Sequence, residues 1–86
     1  MKKRVKKVNM NTMFHAVITL NNGYHKTLRV ARYVVAHIVT EFREYQKSIF
    51  KDVYKIIVNG QVFVLNEIKE IKFVYESSHD EYLTIS

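Results

Sequence analysis

The chain has no cysteine and no proline, and only two glycines among its 86 residues. Without cysteine there are no disulfides, no thiolate nucleophile and no thiolate metal site, and the redox state of the compartment leaves no mark on the sequence. Both glycines, Gly23 and Gly60, sit in hairpin-turn contexts, which leaves none for a loop that cradles phosphate. Long hydrophobic runs are missing as well: no stretch approaches the roughly 20 apolar residues that cross a bilayer. The apolar segment behind the basic start, Met13 to Leu20, has only eight residues, contains His15 and lacks a small-residue cleavage site, so it does not read as a secretory leader. The expectation is a cytoplasmic protein with no membrane span.

What is present describes a small folded domain. Apolar residues make up 48% of the chain, with six Tyr and five Phe, far from the low-hydrophobicity composition of disordered segments. A chain of this length supports one core and no second domain. Charge is uneven. Lys2, Lys3, Arg4, Lys6 and Lys7 carry five of the six net positive charges, and residues 1–12 show no hydrophobic period, so they read as a disordered basic arm preceding a single domain at 13–86. Within that domain, residues 14–55 hold seven basic against three acidic side chains, and residues 56–86 hold two against five.

"FHAVITLNNGYHKTLRV" alternates with a period of two. Phe14, Ala16, Ile18 and Leu20 face one way, and Tyr24, Leu28 and Val30 join them after the turn. Because opposite residues share a face, Leu20 must lie opposite Tyr24, which makes Asn21-Asn22-Gly23 a three-residue loop with Gly23 left-handed. Lys26 falls on the apolar side and is expected near a sheet edge with its ammonium in solvent. From Ala31 the period changes to three and four, through Val34, Val35, Ile38, Phe42, Tyr45 and Ile49, which predicts an amphipathic helix from about Ala31 to Ser48. A start at Leu28 capped by Thr27 fits the same spacing.

Asn59-Gly60 inside "VYKIIVNGQVFVL" is the preferred pair for a type I′ turn and predicts a second hairpin. Its two faces are Tyr54, Ile56, Phe63 and Leu65 on one side, and Ile57, Val62 and Val64 with Lys55 on the other. Both are apolar. "NEIKEI" reads as a turn with Asn66 as a helix cap, "KFVY" as a strand, and Tyr82, Leu83 and Ile85 as a last short strand. The predicted fold is therefore α+β, in ββαβββ order, an antiparallel sheet with one amphipathic helix packed on one face. One helix covers one face, so Ile57, Val62 and Val64 need another cover: the C-terminal segment, a second copy, or a different partner.

Signals for catalysis or metal are weak. His15 and His25 lie about 13 Å apart along the first hairpin at ordinary strand rise, too far to share a metal. His37, Glu41 and Glu44 lie about one turn apart on an exposed helix face, where solvated ion pairs are the ordinary meaning. Ser78, His79 and Asp80 are adjacent in sequence, whereas a catalytic triad converges from separate elements. No cofactor is implied, and the expectation is a non-enzymatic accessory protein that binds a protein partner or itself through Ile57, Val62 and Val64. The alternative is a nucleic-acid-associated protein in which Lys2, Lys3, Arg4, Lys6 and Lys7 contact phosphates, helped by Arg32, Arg43 and Lys47 along one flank of the helix.

Overall fold

The computed structural model describes residues 11–86. Of the expected basic arm, residues 1–10 lie outside the described residues, and Asn11 and Thr12 already make contacts of their own. The elements follow the predicted order: β1 (Met13–Leu20), β2 (His25–Ala31), α1 (Arg32–Lys47), β3 (Lys55–Val58), β4 (Gln61–Val64), β5 (Ile68–Tyr75) and β6 (Glu81–Ile85). The class is α+β, with one finding beyond the sequence reading. The strands form two sheets, a four-stranded antiparallel sheet in the order β2-β1-β5-β6 and a separate two-stranded β3-β4 hairpin.

β1 organises the larger sheet because it pairs on both sides. Its inward residues generate three apolar rows that run across the strands: Val30-Phe14-Tyr75, Leu28-Ala16-Phe73-Leu83 and Lys26-Ile18-Ile71-Ile85. Phe14, Ala16, Ile18, Ile71 and Phe73 are completely buried. Lys26 ends its row on β2, an edge strand, and is exposed, as its place in the sequence demands. Outward residues are mostly polar, including His15, Thr19, Arg29, Glu70, Lys72 and Thr84, so this face can meet water without a cover.

The first loop closes with Leu20 N–H donating to Tyr24 O at 2.8 Å and Gly23 at φ 90°, the predicted register. Tyr24 departs from the expected core and is 65% exposed, because it belongs to the loop and β2 begins only at His25. Helix α1 starts directly from β2 with Ala31 as its cap and no side-chain cap bond, so Thr27 does not serve as one. Val35, Ile38 and Phe42 are its buried face. At its C-terminus Lys51 Nζ donates to the carbonyls of Tyr45 at 2.9 Å and Gln46 at 3.0 Å, satisfying two groups that every helix end leaves open and placing a cation at the negative pole. Ile49 is a correction. The helix ends before it, with Ser48 extended, and Ile49 is 85% exposed.

Ile56, Val58 and Leu65 turn inward from the hairpin to join the same core as α1, so helix and hairpin cover one face of the large sheet side by side. Asn59 Nδ2 anchors the hairpin tip to Arg29 O of β2 at 3.0 Å. "NEIKEI" is mostly strand: a 3₁₀ turn occupies only Leu65–Glu67, Asn66 caps no helix, and β5 already begins at Ile68 because Ile68 and Ile71 are needed in the core. Asn59 and Gly60 both have positive φ, 51° and 80°, as a type I′ turn requires.

A Cβ at residue 60 would meet no atom within 4 Å, so Gly60→Ala isolates the conformational cost. Equilibrium urea denaturation should show a loss of about 1–2 kcal/mol, and a smaller one for Gly60→Asn, which tolerates the left-handed region. Equal losses would contradict this turn geometry.

Candidate functional site

The two faces of the second hairpin part company in the fold. Cross-strand pairing sets Ile56 against Phe63 on the inner face, and Ile57 against Val62 and Lys55 against Val64 on the outer one. Ile57 and Val62 are 62% and 58% exposed, and Val64 is partly buried. The C-terminal strand does not reach them, since β6 adds to the large sheet beside β5, where Leu83 and Ile85 pack on the core. Val62 and Val64 also line a shallow groove of 250 Å³ between β4 and the β2 edge, together with Leu20, Tyr24 and Phe63.

Exposed large apolar residues are not scattered. Ile49, Phe50, Val53, Ile57 and Val62 all fall within residues 49–62, and the remaining exposed large hydrophobics among the described residues are Tyr24, Tyr33 and Tyr82, whose hydroxyls suit them to water. Sequence periodicity placed Ile49 in the helix stripe and gave Phe50 and Val53 no role. The signal that would have found them is the break at "KSIFKD", where Ser48 Oγ accepts from Phe50 N–H at 2.9 Å and turns the chain out of the helix.

The basic residues separate. Lys2, Lys3, Arg4, Lys6 and Lys7 lie outside the described residues. Arg32 and Arg43 both line a 320 Å³ groove between α1 and β6, one toward each end of the helix. Lys47 is outside that lining and lies 3.9 Å from Glu44 on the exposed helix surface.

The densest polar cluster stands on the outer face of the large sheet. Arg29 binds Glu76 through two hydrogen bonds, Nε to Oε2 at 2.6 Å and Nη2 to Oε1 at 3.1 Å, and His15 Nε2 lies 3.3 Å from the same Oε2. The cause is register: His15 and Arg29 are opposite neighbours, and Glu76 N–H donates to Met13 O just past the end of β5. His79, left-handed at φ 64° in the β5-β6 turn, sets its ring 6.5 Å from that of His15. His25 stays at the far end of the hairpin, opposite Thr19. Hydrogen bonds from Arg29, then from His15, hold the Glu76 carboxyl below its ordinary range. Among the described residues no group of three or more His, Asp or Glu side chains is placed to hold a metal ion, and His37, Glu41 and Glu44 form no such site.

Protein-family models, curated proteins and solved structures were compared with the chain, and none matches it.

Because the folded Glu76 titrates below its unfolded counterpart, its stabilisation is complete above the ordinary carboxylate pKa and is lost as pH falls through the depressed value. Glu76→Gln should therefore be less stable than the parent at neutral pH, with the gap closing as pH falls below the ordinary carboxylate range, measured by urea denaturation across pH. A gap independent of pH would contradict this role for the ion pair.

Proposed function

We propose that this chain is a small non-enzymatic binding protein that acts through the outer face of its second hairpin on a protein partner, the simplest being a second copy of itself. The observation that carries the reading is the exposure of Ile57 and Val62 beside a run of exposed Ile49, Phe50 and Val53. Leaving such residues in water forgoes about 1.5–3 kcal/mol for each side chain that a partner could bury. An acidic residue is absent from this hairpin face, and Lys55 is its one charge, able to lie along the apolar surface with its ammonium at the rim. Two such faces related by a two-fold axis are self-complementary without any further device. Support for a non-enzymatic role comes from the polar cluster of His15, Arg29 and Glu76, whose groups are already engaged with one another on a sheet face.

The test is sedimentation equilibrium of the full chain and of Val62→Lys, with urea denaturation as a control on folding. The parent should be dimeric, and the variant monomeric with its stability within about 0.5 kcal/mol of the parent, as for an exposed position. A variant that stays dimeric, or that unfolds, would contradict a contact at this face. A monomeric parent would remove self-association and leave only a different protein partner.

A further inference from the structure

The opposite edge of the large sheet carries a second surface, built differently from the hairpin face. β6 is an edge strand, paired with β5 on one side and with no strand on the other among the described residues. Helix α1 runs beside it, held at one end by Gln46 Nε2 donating to Ser86 O at 2.6 Å. Between them lies the 320 Å³ groove, with Val35, Val39, Tyr82 and Leu83 as its apolar lining and Arg32 and Arg43 from the helix. A backbone edge, an apolar trough and a flanking helix are the three parts that let an extended peptide add as a strand. We propose that this groove binds an acidic segment of another protein, in extended conformation, as an added strand on β6.

Charge selects this occupant. Arg32 and Arg43 are eleven residues apart, three helical turns, so they stand on one line about 16 Å apart at 1.5 Å per residue. Neither makes an ion pair among the described residues. The acidic side chains of these two elements are Glu41, about 180° around the helix from Arg32 at 100° per residue, Glu44, about 120° from Arg32 and 3.9 Å from Lys47, and Glu81, which pairs with the outward Val74 and accepts from Thr84 on the far face; none of them is paired with either arginine. The chain's own basic arm would be repelled from this groove, and a second copy would bring its own arginines to it. In an extended peptide, side chains two and four positions apart share a face, with about 13 Å between the first and the fifth. Flexible arginine side chains span the remaining distance. The peptide that fits has acidic residues four positions apart and an apolar residue midway, which would reach the trough.

The probe is a fluorescein-labelled nine-residue peptide with glutamate at its third and seventh positions, valine at its fifth and threonine elsewhere. Fluorescence anisotropy with the full chain should show saturable binding, and Arg32→Glu/Arg43→Glu should weaken it roughly tenfold or more, since both residues are exposed and their reversal leaves the fold intact. A control peptide with the same side chains and N-methylated backbone amides should not bind, because it cannot supply a strand ladder. Equal binding of the N-methylated peptide would reduce the site to simple charge attraction and overturn strand addition. Absence of binding, binding unchanged in the double variant, or a groove already filled by a second copy in solution would overturn the proposal as well. An oligonucleotide that displaces the peptide and binds the parent more tightly would reassign the arginines to nucleic acid.

Discussion

A four-stranded antiparallel sheet is about 19 Å across, and an α-helix covers about 10 Å of it. That mismatch governs the arrangement of this protein. Three rows of inward residues run across the sheet, two of them as far as β6, and one helix cannot keep all of them from water. The second hairpin supplies the missing width, with Ile56, Val58 and Leu65 turned toward the rows and Asn59 tying its tip to β2. Among the described residues no element is then left to cover the hairpin itself, and Ile57 and Val62 face outward. The proposed contact surface is thus a consequence of how the core is closed.

Both flanks of the helix take their character from the same arrangement. On one side, rings from Phe42, Tyr45 and Tyr54 step from the helix to the start of the hairpin, with centroids 5.6 and 6.2 Å apart, and Lys51 lies over Tyr45 while capping the helix. On the other side, Tyr82 turns inward at an irregularity in the β5-β6 pairing and packs its ring 4.9 Å from Phe14 and 5.4 Å from Tyr75. This closes one end of the core and leaves a trough between β6 and the helix. Hairpin and trough occupy opposite sides of the molecule, so one chain could engage a copy of itself and an acidic segment at once.

Local features of this fold were legible in the sequence because local geometry determines them. The alternation around Phe14 and Val30 forced the first loop to three residues, Asn59-Gly60 specified the second turn, and the change of period at Ala31 marked the helix. Pairing parity alone places Ile57, Val62 and Val64 together on one face of the hairpin. What could not be read was where separate elements meet. That the second hairpin would stay out of the large sheet, that Glu76 would reach Arg29 and His15, and that Arg32 and Arg43 would look across at Tyr82 are outcomes of tertiary assembly with no periodic trace. Ile49 was misplaced for a related reason: it continues the helical spacing, but Lys51 caps the helix before the stripe can continue.

The absence of cysteine makes the central claim directly measurable, since a single introduced thiol is the only one present. Val58→Cys and Val62→Cys, labelled with a thiol reagent in dilute solution, compare the inner and outer faces of one hairpin. Labelling should be rapid at 62 and slow at 58, and labelling at 62 should slow as protein concentration rises and faces associate. Protection at 62 in dilute solution, or rapid labelling at 58, would mean that the hairpin does not close the core as described; labelling at 62 that ignores concentration would contradict self-association through this face.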